Sequence, residues 1–319
     1  SVPTYPITEG KAARIMTGAP VPEGADAIIM HERTSFTENT VTLTAPVTSA
    51  NIIPPGEDVA AGTLLVPKGK ILTASDLALI AGQGIAEIRV YKKLSIGLIS
   101  TGSELLNTGS PLEYGKIYNT NPYLLGGYIQ KHHMTANYLN TVSDDLDSLC
   151  RAVLEALKTN DVVITTGGVS AGDFDYMPEV IRRIGGDLLF HRLKFKPGGA
   201  MLGAFKDGKV ILGLSGNPGA AATGLLCVGF PFMRKLSGRS DITFSQTTAY
   251  LGVDFKKSSP VTRILKGHSD FKNGMLYFTP LSNQHNGSVS SMSDCDLLAV
   301  IPAGSEPLAA GDKLEVYIL

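Results

Sequence analysis

The sequence predicts an α/β protein: a three-layer α/β/α domain on a mostly parallel sheet, flanked by a β-rich amino-terminal region and a carboxyl-terminal β region. Three observations carry this. Between residues 94 and 237 short apolar runs alternate with helical segments, the pattern of strands joined by crossover helices. Residues 1–60 and 241–319 show period-2 alternation and frequent turn residues instead. A chain of 319 residues also exceeds one ordinary core, so two or three domains are expected.

In residues 1–60, Ala25–Met30 is a short apolar run after a Pro-Glu-Gly turn. Val41, Leu43, Ala45 and Val47 alternate with Thr and Pro as a half-buried strand does. Residues 61–92 read as a linking segment, helical over 73–82 with Thr73 or Ser75 as cap, then strand over 85–91. Residues 93–240 form the α/β domain. Ile96–Ile99 is a buried strand ending in Ser-Thr-Gly-Ser-Glu, and Asn121-Pro122 opens a helix with proline at its first position. Asn137–Val142 is a strand, and Asp144-Asp145 opens a helix reaching Lys158. Val162–Thr166 is a strand, 175–184 a helix, and Leu188–Lys194 extended. Val210–Leu214 is a strand, and Ser215-Gly216-Asn217-Pro218 leads into a long helix ending near Leu236. Ligands of such sheets bind at the carboxyl ends of the strands. Residues 241–319 read as a small barrel or sandwich.

Hydrophobic residues make up 43% and charged residues 18%, as in a folded globular protein. A formal net charge of −1 excludes a general electrostatic pull toward nucleic acid or anionic membrane. Cys150, Cys227 and Cys295 lie far apart without C-x-x-C spacing. That argues against a disulfide framework or structural zinc and fits a reducing, cytoplasmic location. The longest apolar run, Gly219–Phe232, is interrupted by Gly and Pro and is shorter than the ~20 residues of a spanning helix. No signal peptide is visible, and the chain starts at Ser1, which suggests a processed or clipped boundary.

Three strands end in glycine-rich loops: STGSEL (100–105), TTGGVSAGDFD (165–175) and LSGNPGAA (214–221). Glycine lets successive N–H groups point at one anion. One such loop is only a tight turn; three on one sheet edge point to a ligand carrying phosphate or another oxyanion. Glu104, Asp144, Asp145, Asp173 and Asp175 fall at the same edge. Singly they are helix caps or solvated acids; together they suit Mg²⁺, which bridges carboxylates and phosphate oxygens. Lys194 and Lys196 precede Pro197-Gly198-Gly199, where a lysine either contacts an anion or lines the solvent face of a strand.

Residues 168–172 also fit G-x-S-x-G, the nucleophile elbow of serine hydrolases. That reading needs a later acid and histidine. His191 sits in a strand-like run, and His268 and His285 lie outside the sheet domain. No HGGG-type oxyanion motif appears. Ser170 reads better as an anion-loop hydroxyl or helix cap than as a nucleophile.

RIMTGAPVPEGADAIIM, PPGEDVAAG, STGSELL, IYNTN, VSDD, VITTGGVSAGDFDY, KFKPGG and GNPGAA occur in this order over nearly the whole chain. Together they resemble the molybdopterin molybdotransferases, the family that includes the gephyrin E domain. The resemblance implies insertion of molybdate into adenylated molybdopterin with release of AMP, helped by Mg²⁺, in a homodimer. It implies a third domain like the molybdopterin adenylyltransferases and a fourth that is a β-barrel, so that the carboxyl-terminal region becomes a barrel. An adenylyltransferase is then a partner by implication.

The resemblance also implies roles. Thr101, Gly102, Gly167, Gly168, Ser170, Gly216, Asn217 and Pro218 would hold the pterin phosphate and the adenylate. Glu104, Asp144 and Asp175 would bind Mg²⁺ or position the anhydride. Asp58 matches the acid of the G-E-D turn and Thr17 the threonine of T-G-A-P, both in a domain lent by the other subunit. Lys196, with Pro197 and Gly198, would lie beside the oxyanion. Arg263 and Ser288 correspond, by a looser alignment, to molybdate contacts.

The chain departs from the family at several points. P-G-K-P is here Pro197-Gly198-Gly199-Ala200. L-P-G-N-P-V-S is Leu214-Ser215-Gly216-Asn217-Pro218-Gly219-Ala220. T-G-D-E-L is Thr101-Gly102-Ser103-Glu104-Leu105. The stretch bearing the family's D-G-Y-A motif is not in this sequence. These departures raise an alternative: a family member that binds the pterin adenylate, as a scaffold, without turnover.

Overall fold

The structure is a computed structural model that describes residues 5–169 and 175–319. The chain divides into two compact units, Ser1–Val66 and Pro67–Leu319.

In the first unit one hairpin forms, β1 (Thr34–Phe36) with β2 (Val41–Leu43), in antiparallel register from Thr34↔Leu43 to Phe36↔Val41. An isolated bridge joins Ile28 to Thr48. The expected half-buried strand over 41–47 is shorter and wholly exposed. Alternation buries a face only where another layer covers it, and within this unit no second described sheet lies across Val41 and Leu43.

The second unit opens with α1 (Ala74–Gly82). Its start is a capping box: Thr73 Oγ1 accepts from Asp76 N–H at 3.3 Å, and the Asp76 carboxylate accepts from Thr73 N–H at 2.9 Å. Lys70 donates to Asp76 at 2.6 Å. These bonds hold the Asp76 carboxyl down to about 2. Residues 85–91 form no strand: Ile85, Ile88 and Val90 are exposed and no described strand pairs with them.

The α/β domain follows in the order β3 (Ser95–Ser100), β4 (Leu105–Leu106), β5 (Ile117–Tyr118), α2 (Asn121–Lys131), β6 (Thr135–Tyr138) and α3 (Leu146–Thr159). It continues with β7 (Val162–Thr166), α4 (Met177–Arg183), β8 (Asp187–His191), β9 (Phe195–Lys196), β10 (Leu202–Lys206), β11 (Lys209–Leu214) and α5 (Pro218–Gly224). The main sheet has the order β6-β3-β7-β11-β10-β8. The first four strands are parallel, and β10 and β8 are added antiparallel.

Strand alternation splits the core into two faces. Ile96, Leu98, Val162, Ile164, Val210 and Leu212 pack with α2 (Leu125, Ile129) and α5 (Ala221, Ala222). Ile99, Val163 and Ile211 pack on the other side with α3 (Leu149, Val153) and α4 (Val180, Ile181). Asp145 caps α3 by accepting from Ser148 N–H at 2.8 Å. The helix expected from 218 to 236 is interrupted. A π turn over Leu225–Gly229 joins α5 to α6 (Phe230–Leu236). Pro231 has no N–H for the Cys227 carbonyl, which favours a wider turn there.

The carboxyl-terminal region is a closed barrel, not a sandwich. Its strands are β12 (Gln246–Leu251), β13 (Thr262–Lys272), β14 (Met275–Pro280), β15 (Leu297–Ile301) and β16 (Lys313–Ile318). They close as β13-β14-β12-β16-β15-β13 around Leu251, Leu265, Phe278, Ala299 and Val316. Two outward residues, Ile264 of β13 and Leu298 of β15, join the α/β core instead. The short β9 leaves the α/β domain to pair in parallel with β13, Phe195↔Thr262 and Lys196↔Arg263.

Candidate active site

The three glycine loops meet at the carboxyl edge of the sheet. Thr101 N–H donates to Thr166 O at 2.9 Å, and Gly167 N–H donates to Leu214 O at 3.0 Å. These bonds extend the β3–β7–β11 ladder into the loops. Gly167 has φ +102°, and a Cβ there would lie 2.4 Å from Thr101 Oγ1 and 2.8 Å from Thr101 O. Only glycine allows this backbone and this approach. Gly168 O accepts from Met177 N–H at 3.2 Å, so the second loop is tied to α4. Gly216 packs beside Gly167. Asn121, the first residue of α2, donates from Nδ2 to Gly216 O at 2.9 Å, while its buried Oδ1 has no hydrogen-bond partner.

The rim continues into the barrel. Gly198, after a cis peptide between Lys196 and Pro197, packs on the backbone of Ala220 and Gly224 in α5. Asn217 and Pro218 open α5, and the Asn217 side chain lies beside Gly287. Ala220 N–H donates to Asn286 O at 3.1 Å. Ser288 Oγ accepts from Asn283 Nδ2 at 2.9 Å and Ser291 N–H at 3.1 Å. Thr101, Gly102, Gly167, Gly168, Gly216, Asn217, Pro218, Pro197, Gly198 and Ser288 thus belong to one continuous rim, and Lys196 stands exposed beside it.

Two acids meet at the first loop, Glu104 from the loop itself and Asp144 from the segment between β6 and α3. Asp144 Oδ2 accepts from Ser103 N–H at 3.1 Å, and Glu104 is exposed next to that residue with its carboxylate against Gly102. Lys116 donates to Ser103 O at 2.6 Å and braces the same turn. Asp175 has other neighbours: His191 Nε2 at 3.6 Å and Arg192 Nη2 at 4.0 Å. Burial raises its pKa, against the pull of His191 and Arg192. Its Oδ1 and His191 Nε2 are buried without hydrogen-bond partners. Among the described residues no group of three His, Cys, Asp or Glu side chains converges as a metal site. Glu104, on the first loop, and Asp144, on the segment between β6 and α3, are the two carboxylates that meet the Ser103 turn.

Ser170 is outside the described residues. Thr17 and Asp58 belong to the amino-terminal unit, where both are exposed. Arg263 pairs with Lys196 through its backbone, but its side chain donates to Ser259 Oγ at 3.3 Å and lies 5.9 Å from the Phe255 ring.

The cation nearest the Ser288 loop is Lys266, which carried no motif. It is fully buried and donates to Ser291 Oγ at 2.5 Å and His285 O at 3.2 Å. Nothing in its sequence context sets it apart from a solvent-facing strand lysine. Asn121 was legible only as a helix opener, and the bond to Gly216 depends on tertiary packing.

The chain resembles known proteins over nearly its whole length. A family model described as "Probable molybdopterin binding domain" matches residues 97–235. "MoeA N-terminal region (domain I and II)" matches residues 1–84, and "MoeA C-terminal region (domain IV)" matches 248–319. A "Molybdopterin molybdenumtransferase" of Staphylococcus aureus (strain MRSA252) is 35% identical over 313 residues, covering 98% of this chain and 75% of the relative. One of Bacillus subtilis (strain 168) is 36% identical over 314 residues, covering 97% and 73%. The crystal structure of the molybdopterin biosynthesis MoeA protein of Pyrococcus horikoshii superposes with a TM-score of 0.84 at 28% identity, covering 100% of this chain and 78% of that one. With its family matches spanning both ends and the α/β domain between them, the chain belongs to the molybdopterin molybdenumtransferase family.

Proposed function

We propose that this protein is a molybdopterin molybdenumtransferase that inserts molybdate into adenylated molybdopterin and releases AMP, in molybdenum cofactor biosynthesis. The observation that carries this is the continuous rim from Thr101 through Gly167 and Gly216 to Ser288. It brings the glycine-rich ends of β3, β7 and β11 together with the hydroxyl-bearing loop of the barrel. The family membership supports the same reading.

On this reading the glycine loops bind the phosphate groups of the substrate through backbone N–H donors. Lys196 adds positive charge at the junction of sheet and barrel. Glu104 and Asp144 are the residues that would hold Mg²⁺, which would shield the phosphoanhydride charge. Asp175, set against His191 and Arg192, orients the far side of the cleft. The proposal includes a homodimer in which Thr17 and Asp58 are lent by the partner, delivery of substrate by a molybdopterin adenylyltransferase, and a cytoplasmic location. No described helix is long and apolar enough to cross a membrane.

The hydrolase reading of 168–172 is not favoured by the family, and neither is a scaffold without turnover. The test is AMP release from adenylated molybdopterin with Mg²⁺, with and without molybdate. Molybdate-dependent release that Glu104→Gln abolishes is the expected result. Binding of the adenylate without release would establish the scaffold instead.

A further inference from the structure

The barrel contains Asn-Gly twice, at Asn273-Gly274 and Asn286-Gly287. Asparagine before glycine is chemically labile. The glycine nitrogen can reach the asparagine side-chain carbonyl, and glycine has no Cβ to crowd the ring that forms. Both pairs are exposed. Asn273 and Gly274, with φ of 51° and 76°, close the β13–β14 hairpin between the paired Lys272 and Met275. Asn286 and Gly287 lie in a turn closed by Ser288 N–H, which donates to His285 O at 3.2 Å. Among the described residues neither the Asn286 side-chain amide nor the Gly287 N–H has a hydrogen-bond partner, so no bond holds the two reacting groups apart.

The two turns differ in what they hold. The hairpin turn joins two strands of one barrel. The turn at Asn286 fastens the barrel to the α/β domain. Asn286 O accepts from Ala220 N–H in the first turn of α5 at 3.1 Å, and a Cβ on Gly219 would lie 2.9 Å from that same oxygen. The main chain is therefore packed on α5 without room for an added atom. The loop is also closed on itself. His285 N–H donates to Asn283 Oδ1 at 3.0 Å, and Asn283 Nδ2 donates to Ser288 Oγ at 2.9 Å. A change in main-chain length at 286 falls inside both this network and the contact with α5.

We propose that Asn286-Gly287 is a spontaneous modification site, and that its conversion loosens the loop by which the barrel grips α5. The Gly287 nitrogen attacks Asn286 Cγ and gives up its proton. The side-chain nitrogen leaves as ammonia, and a cyclic imide remains. Water adds to either imide carbonyl and opens the ring to aspartate or isoaspartate. The net exchange is one water in and one ammonia out, with nothing oxidised or reduced. Both products carry a new carboxylate. In isoaspartate the carbonyl that met Ala220 becomes that carboxylate, and the chain runs on through the former side-chain carbon, one methylene longer. The bonds from Ser288 N–H to His285 O and from Asn283 to Ser288 Oγ both span the inserted atom and lose their geometry.

The test ages the full folded chain in mildly alkaline buffer. Peptide mass mapping follows each Asn-Gly pair, enzymatic methyl transfer reads isoaspartate, and thermal midpoints read stability. Asn286 is expected to convert while the protein stays folded, with the midpoint falling by a few degrees in step with isoaspartate at 286. Asn286→Gln, whose longer side chain closes the imide far more slowly, should keep its midpoint on ageing. Asn273→Gln should age as the wild type does. Gly287→Ala gives the same protection and carries the test if Asn286→Gln does not fold; a Cβ there meets only Asn217 Oδ1 at 3.6 Å, an ordinary contact. An Asn286 that keeps its amide in the folded chain, while the denatured chain converts, overturns the inference. So does conversion at 286 with an unmoved midpoint, or a protected variant that loses stability like the wild type. None of these readouts uses molybdate or AMP, so their failure leaves the transferase reading intact.

Discussion

The two halves of the rim are built differently. The sheet half, at Thr101–Gly102, Gly167–Gly168 and Gly216–Asn217, is made of backbone: its loops touch because glycine leaves nothing between them. The barrel half, over 281–291, is made of side chains: Asn283, Gln284, Ser288 and Ser291 bond to one another and to Lys266. A backbone site is rigid and intolerant of any added atom. A side-chain site can be retuned residue by residue. Gly219 and Ala220 lie where the sheet half meets the barrel half.

The sharpest way to break this comparison is Gly167→Ala. The methyl group would press on Thr101 Oγ1 and O while forcing a left-handed backbone. A loss of about 3 kcal/mol in stability is expected, with AMP binding abolished. Denaturant titration and calorimetry would check both, and a mild effect would show that the sheet half yields after all. Gln284→Ala comes next. It strips partners from Lys266 N and O and from Leu281 O, at about 1–3 kcal/mol. Molybdate binding should weaken while AMP binding stays, since the damage is confined to the barrel half.

The smallest effect separates the rim from its support. His132, at the end of α2 remote from Asn121, stacks edge-on to Phe230 and Phe244 and accepts from Arg234. Burial first, then the charges of Arg234, Arg239 and Lys131, lower its pKa to about 4 from 6.5. Its protonation therefore favours the unfolded chain, so this contribution is intact above pH 6.5 and fades as pH falls toward 4. The thermal midpoint should drop by a few degrees over that interval, and His132→Asn should flatten the drop. An unchanged slope in the variant would remove His132 from the account.

The sheet half was legible in the sequence because its chemistry is local. Each loop follows its strand directly, so glycine, its strand and its helix are neighbours in the chain. The caps at Thr73 and Asp145 were legible for the same reason, whereas α2 starts one residue earlier than Asn121-Pro122 read, with Thr120 at the cap position and Asn121 its first helical residue. The alternation over 41–47 misled because period alone does not supply the layer that buries it. Asp175 was legible by its position past a strand end, but its contacts with His191 and Arg192 depend on tertiary packing that the local pattern does not show. Lys266 was illegible because its burial is made by the loop from Leu281 to Ser291, which the local pattern of β13 does not show.

One short strand has a consequence for how this chain can be recombined. Because β9 is supplied by the α/β domain yet hydrogen-bonded into the sheet of the barrel, the natural seam near residue 240 is not a clean one. A chimera taking residues 241–319 from a relative would inherit a barrel whose β13 edge was shaped for another Phe-Lys-Pro segment. Residues 193–199 would have to travel with the barrel, although they lie about forty positions upstream of it. In that sense the heritable module and the visible domain do not coincide.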